Sequence, residues 1–233
     1  QKALQIRKEP LQYPKEDKSV DNAVIQRFAD VLEDEMNENS KPYYLTYEKR
    51  YQAVYASGAT LWGHTPDDRI LIKTLTDWIT QSNLQGKRVI EYACGEGSVG
   101  VILSKLGCIY YGIDIAPSAV ERAKQALEGY PTATVSLLDM VNERVGSIFD
   151  AAIDVMGLHM LITDVDRKKY LANVNASLIQ GAPALFFRES YNEAAHSGKV
   201  SSAGFIVDQF IDMDPSREIW NSASIYVHKG GAK

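Results

Sequence analysis

The sequence predicts an α/β protein built on a doubly wound, mostly parallel sheet with helices on both faces. Three observations lead there. From Lys87 onward, short apolar runs of strand length alternate with helical stretches, the grammar of successive βαβ units. The first run leads into EYACGEGSVG, residues 91–100, where Gly95, Gly97 and Gly100 suit a tight turn into a helix N-terminus. The last apolar run, 219–229, follows a poorly patterned segment and reads as an antiparallel strand near one sheet edge.

Taken in order, residues 1–19 are charged, contain Pro10 and Pro14, and read as a flexible arm. Val20, Val24, Phe28, Val31 and Leu32 then share one helical face, with a stop near Pro42. In KPYYLTYEKRYQAVYASG, Tyr43, Tyr47, Tyr51 and Tyr55 recur every fourth residue, a second helix closed by Ser57-Gly58. Thr65 is placed to cap a third helix, with Pro66 at its first position and Asp68 completing a capping-box-like pair. Ile70, Leu71, Leu75, Trp78 and Ile79 form its apolar face. Strands are expected at 88–93, 109–114, 134–139, 149–155 and 184–189. Three regions result: the arm 1–19, a helical cap region 20–82, and a sheet domain 83–233.

Composition narrows the function. With 45% hydrophobic residues among 233, the chain can bury roughly 70% of its unfolded surface, as ordinary globular proteins do. A net charge of -5 argues against a phosphate-tracking surface, so a small-molecule partner is expected and nucleic acid is not. Cys94 and Cys108, fourteen positions apart without a nearby histidine pair, suggest neither a zinc site nor a disulfide framework and fit a reducing, cytoplasmic setting. No apolar run approaches the ~18 residues of a membrane span.

The glycine spacing alone would suit a dinucleotide pyrophosphate, but Glu91 stands four residues before Gly95, where a dinucleotide turn usually carries an apolar residue. Further acids close the next strands: Asp114, Asp139 and Asp154. Ligands in such sheets bind outside the carboxyl ends of the strands, so four corners face one cleft.

This set resembles the class I S-adenosylmethionine-dependent methyltransferases, whose first motif, E/D-x-x-x-G-x-G, corresponds to Glu91 through Gly97. The resemblance covers about Pro42 to Lys233. It implies a Rossmann-like, seven-stranded sheet with an antiparallel edge hairpin and an N-terminal helical lid. It also implies S-adenosylmethionine as methyl donor, with S-adenosylhomocysteine as product. Gly95 and Gly97, with Ala93 between them and Glu91, would form the donor's backbone cradle. In YGIDIAPSAVERAKQ, Asp114 would take the ribose hydroxyls, with Ile115 beside it. In LLDM, Asp139 would meet the adenine amino group, with Met140 packed on the ring. Trp62 would roof the donor, and Asp154 would close its site from the fourth strand.

Absences shape the acceptor. Asp154-Val155-Met156-Gly157 stands where amino-directed nucleic-acid enzymes carry Asn/Asp-Pro-Pro-aromatic, and Arg188-Glu189-Ser190-Tyr191-Asn192 lacks the Asp-Asn pair of metal-dependent catechol enzymes, so no metal is implied. A small molecule methylated on N, O or S is the expectation. His159, after the fourth strand, is the titratable group nearest the expected methyl position, either as general base or as a wall of the acceptor cavity. No carboxylate partner for its ring can be identified in the sequence, which favours the wall. Tyr44, Tyr47 and Tyr51 from the helical cap, and Glu189 and Tyr191 past the fifth strand, would line the rest of the cavity. The alternatives are a nicotinamide-dependent oxidoreductase, in which Asp114 would hold an NAD ribose, and a non-catalytic donor-binding regulator. Monomer and homodimer are both open.

Overall fold

The computed structural model describes residues 42–189, 199–212 and 223–231, and the chain divides into two compact units, 1–62 and 63–233. The arm 1–19, the helix expected from Val20, and Tyr191 lie outside the described residues.

In the first unit a 3-10 turn, Tyr43–Thr46, leads into α1, Tyr47–Ala56. Ser57 follows as its C-cap and Gly58 turns the chain at φ 88°, a conformation that glycine adopts without a Cβ clash. The tyrosine stripe packs on itself. Trp62 comes back onto it, its ring 4.8 Å from Tyr51 edge-on and 6.1 Å from Tyr47, and the Arg50 guanidinium sits 4.6 Å above the Tyr47 ring.

The second unit opens with α2, Arg69–Gln81. Its N-cap is Asp68, not Thr65: the Asp68 carboxylate accepts from the amides of Ile70 and Leu71, which satisfies two of the free N–H groups at the helix start. Leu71, Leu75, Trp78 and Ile79 turn inward and join the core of the sheet unit. There follow β1 (Arg88–Tyr92), α3 (Ser98–Lys105), β2 (Ile109–Asp114), α4 (Pro117–Ala126), β3 (Ala133–Leu137) and β4 (Ala151–Val155). Next come α5 (Asp164–Ala176), β5 (Pro183–Glu189), β6 (Phe205–Asp212) and β7 (Ala223–Lys229). Among these described residues no helix is long and apolar enough to cross a membrane.

The seven strands run in the order β3-β2-β1-β4-β5-β7-β6. The pairs β1–β2, β2–β3, β1–β4 and β4–β5 are parallel, while β7 is antiparallel to both neighbours. The C-terminal strand is therefore antiparallel as expected but lies one place in from the edge, covered by β6. β6 has no match among the sequence-derived strands, for a physical reason. Its pairing slips between Val207 and Gln209, and the extra residue of such a bulge shifts which side chains face inward, breaking the period of two.

Gly100 illustrates how packing fixes sequence. A Cβ there would lie 2.5 Å from Cε1 of Tyr110, whose ring fills the space between α3 and β2. Gly100 thus lets a helix lie close on a strand, a role the third glycine also has in dinucleotide turns, so it does not distinguish the ligands. Gly100→Ala is expected to lower stability by about 1–3 kcal/mol through overpacking. Urea denaturation checks this, and an unchanged midpoint would show that the Tyr110 ring moves aside freely.

Candidate active site

The parallel strands deliver their carboxyl ends to one rim, and strand order reverses between β1 and β4, where a crevice opens in sheets of this kind. Four almost solvent-free acids stand there on the strands themselves, Glu91 in β1, Asp114 ending β2, Asp154 in β4 and Glu189 ending β5, besides the buried Glu96 in the loop after β1. A buried carboxyl is costly unless donors reach it, and each of the four has at least one.

Asp114 ties two loops together. One oxygen takes the Gly95 amide at 2.9 Å and the other takes the Ala116 amide at 2.9 Å, joining the loop after β1 to the start of α4. Burial pushes its carboxyl up to about 6, while the two amide bonds pull the other way. Glu91 points into the core and accepts the Tyr110 hydroxyl at 2.5 Å; burial holds it well above the usual carboxylate range. Asp154 accepts the Gly157 amide at 2.5 Å and the Tyr170 hydroxyl, and burial, reinforced by neighbouring Glu189, raises it strongly. Glu189 accepts the His159 amide at 2.8 Å, and burial pushes it up to about 8.

The loop after β1 is shaped for close approach. Ala93, Gly95 and Gly97 take φ of 54°, 52° and 83°, and an alanine in this left-handed region carries a steric cost of roughly 1–2 kcal/mol. Non-glycine strain of this kind gathers at ligand sites. Ala93 and Gly95 are half-exposed between the buried Tyr92, Cys94 and Glu96, so the backbone presents one open notch. The turn after β4 closes on that notch. Met156 has φ 68°, and a Cβ on Gly157 would meet Ala93 Cβ at 2.9 Å and Asp154 Oδ1 at 2.6 Å.

Toward the outer strands, Ile115, Asp139 and Met140 are also half-exposed. Asp139 lies two residues past β3 and caps the next turn, accepting from the Val141 amide at 2.8 Å and from Asn142 Nδ2 at 3.0 Å. From α5, Asn173 clamps this turn with its side-chain amide on the carbonyls of Met140, Val141 and Glu143. Tyr170 and Asn173 thus give α5 a polar inward face that holds two site loops.

His159 sits in a short 3-10 turn, Leu158–Met160, with Nδ1 3.3 Å from Glu189 Oε2. Desolvation lowers its pKa to about 4, with Arg167 adding and Asp154 opposing. The carboxyl group that sequence reading does not place here is Glu189, thirty residues on, which accepts the His159 amide while the ring Nδ1 has no hydrogen bond of its own. A second pairing equally hidden in the sequence joins Arg188 to the α2 cap, Asp68, at 2.8 Å. Arg188 has φ 58° and lies where the β5–β7 register shifts; bulges re-aim side chains in this way. Of the sequence-derived candidates, Glu91, Ala93, Gly95, Gly97, Asp114, Ile115, Asp139, Met140, Asp154, His159 and Glu189 all lie on this rim or its loops. Trp62, Tyr44, Tyr47 and Tyr51 belong to the first unit. Among the described residues, no group of three or more His, Cys, Asp or Glu could hold a metal ion.

Comparison with known proteins accords with this geometry. Residues 89–181 match the family model described as a methyltransferase domain. A crystallised S-adenosylmethionine-dependent methyltransferase from Clostridium acetobutylicum shares the fold at TM-score 0.62 and 12% identity, covering 82% of this chain and 100% of that one. The amino pentose methyltransferase CalS10 from Micromonospora echinaspora, solved with S-adenosylmethionine bound, gives TM-score 0.59 and 13% identity over 77% of this chain and 96% of its own. Over 53 residues the chain is 42% identical to ribosomal protein L11 methyltransferase of Paraburkholderia xenovorans, a match covering 22% of this chain and 18% of that relative. The match to a methyltransferase domain thus spans residues 89–181, and the fold is the one shared with these S-adenosylmethionine-dependent methyltransferases.

The residues present fit that family's donor. The notch at Ala93 and Gly95 admits a ligand to the backbone. Each Asp114 oxygen, with one amide bonded, keeps a lone pair for a hydroxyl. The same burial has a cost that can be measured. A carboxyl raised from 3.8 to about 6 favours the folded state below pH 3.8, and this contribution is lost as pH rises through 6. Asp114→Asn abolishes that loss, so its stability relative to wild type should climb by about 2 kcal/mol between pH 4 and 7. Donor affinity should fall at least about tenfold. Chemical denaturation across pH, with calorimetry for the donor, reads both; a pH-independent difference would mean Asp114 does not titrate as its burial demands.

Proposed function

We propose that this chain transfers a methyl group from S-adenosylmethionine to a nitrogen, oxygen or sulfur atom of a small molecule. One observation carries the reading: the left-handed, half-open turn at Ala93 and Gly95 is pinned by the Gly95 amide to the buried carboxyl of Asp114. When bound, the donor supplies a methyl group whose carbon–sulfur electron pair returns to sulfur as the acceptor's lone pair forms the new bond, releasing one proton if the acceptor carried it. Alignment is what the protein must contribute to such a displacement.

In this reading the cradle of Ala93, Gly95 and Gly97 holds the amino-acid end, with Glu91 bracing it from the core through Tyr110. Asp114 holds the ribose diol. Ile115 and Met140 flank the adenine, and Asp139, stiffened by its own turn, receives the adenine amino group. Asp154 fixes the turn that closes the acceptor side, where His159 stands. A small acceptor is supported by the net charge of -5 and by neighbours of the same fold whose names specify an amino pentose and a glycopeptide. The reading rests on the second unit alone.

Isothermal calorimetry of S-adenosylmethionine, S-adenosylhomocysteine, NAD(H) and NADP(H) separates the classes. Binding of the first two and not the others is expected, and Gly95→Val should abolish it, since a branched side chain would occupy the notch. Binding of the nicotinamide pair instead would replace the proposal with an oxidoreductase. Donor binding without turnover on a panel of amines, phenols, thiols and ribosomal protein L11 would leave a regulatory binding protein; turnover on the protein alone would overturn the small acceptor.

A further inference from the structure

Asn173 is a buried polar residue on α5, and its side-chain nitrogen, Nδ2, lies 3.0, 3.1 and 3.2 Å from the carbonyls of Met140, Val141 and Glu143. Three acceptors around one end of the side chain decide which of its two atoms is the nitrogen, since only the amide group has hydrogens to give. Its two N–H groups serve three carbonyls, so at least one is shared. The helix that carries Asn173 is itself set on the sheet. The Tyr92 hydroxyl, at the end of β1, donates at 2.9 Å to Oγ of Ser177, the C-cap of α5.

The turn held in this way runs from Asp139 to Glu143 and is closed from within as well. Asp139 Oδ1 accepts the amides of Val141 and Asn142 at 2.8 and 3.2 Å. The Glu143 amide reaches the Asp139 carbonyl at 2.8 Å, and Glu143 Oε2 takes the Asp139 amide at 2.8 Å. The second carboxylate oxygen of Asp139, Oδ2, accepts from Asn142 Nδ2 at 3.0 Å and keeps a lone pair. Asp139 and Met140 are half-exposed, so the turn presents an acceptor oxygen and an apolar side chain together at the rim.

We propose that Asn173 is a positioning residue for the nucleobase of the donor: by pinning the turn 139–143 to α5, it holds Asp139 and Met140 in the shape that selects a purine with an exocyclic amino group over one with an oxygen there. This rests on the methyltransferase reading and deepens it, since a residue that touches no ligand then sets the base preference of the site. A hydrogen bond from an amino group to a carboxylate is directional, and replacing that group by a carbonyl oxygen sets two acceptors face to face. The ribose and amino-acid ends of the donor are assigned to Asp114 and the loop at Gly95, which a separate bond ties to each other. Loss of Asn173 therefore falls on the base and spares the rest.

Calorimetry with S-adenosylhomocysteine and S-inosylhomocysteine, which differ in the exocyclic group of the base, reads the preference directly. Wild type should favour the adenosyl compound by at least about tenfold. Asn173→Ala should reduce that ratio to about threefold or less by weakening the adenosyl compound alone. Asn173→Asp, nearly the same size but without a hydrogen to offer when ionised, should do the same, which separates hydrogen bonding from volume. An unchanged ratio in the variants, whether both affinities fall or neither does, overturns the proposal, because a general loosening of the fold moves the two together. A measurement on the wild type stands even if neither variant folds. By NMR, the side-chain amide protons of Asn173 should be protected from solvent exchange in the donor-free protein, and rapid exchange overturns the clamp. Wild type that binds neither compound defeats the methyltransferase reading itself, whereas wild type that binds both equally well defeats this proposal alone.

Discussion

Four carboxyls taken out of water at one end of a sheet are the constraint around which this structure is arranged. Each must be met by donors, and the donors come from different places: a tyrosine hydroxyl on the next strand for Glu91, two backbone amides for Asp114, a helix tyrosine and a turn amide for Asp154, the His159 amide for Glu189. Loops that would otherwise be free to vary are thereby tied to strand ends. The loop after β1 cannot move without breaking its bond to Asp114, nor the turn after β4 without releasing Asp154 and Glu189. Rigid placement of loop backbone by buried acids is what a displacement reaction needs from its scaffold.

Backbone strain follows from the same arrangement. Ala93, Met156 and Arg188, each just past or near the end of a central strand, all take left-handed conformations that a side chain resists. Ala93 is the telling case, because glycine would relieve the strain and the turn is held regardless by Gly95 on Asp114 and by Cys94 on the carbonyl of Ile113 at 2.9 Å. α5 supports the other side. Its weakly amphipathic sequence makes sense once Tyr170 and Asn173 are seen holding Asp154 and the turn after β3, so polar residues occupy a face that core packing alone would make apolar.

The two sides of this rim are built differently. Around the ends of β1 and β2, backbone amides, two glycines and a buried carboxyl come together, within the family match of residues 89–181. Around the ends of β4 and β5, Glu189 meets the His159 amide, and Arg188 reaches across to the cap of α2. At 12% and 13% identity the solved neighbours share the fold alone, and what the side chains do rests on their own chemistry.

The sequence by itself determined the α/β class, the five parallel strands and the rank of acids and glycines at their ends, since strand period, turn residues and a local motif are all short-range signals. It also placed Gly95 and Asp114 at neighbouring strand ends, where the structure joins them by a hydrogen bond, because a motif fixes both relative to those strands. Tertiary structure alone decided the rest. β6 was hidden by a bulge that breaks its alternation, and the α2 cap moved to Asp68, where the carboxylate can meet two helix amides and Arg188 together. Glu91 kept its place at the rim but turned inward, because Tyr110 supplies a buried hydroxyl nineteen residues away. That a carboxyl holds the backbone of His159 could not be read along the chain. Thirty residues and a whole helix separate it from Glu189, and only the pairing of β4 with β5 brings the turn after one strand against the end of the other.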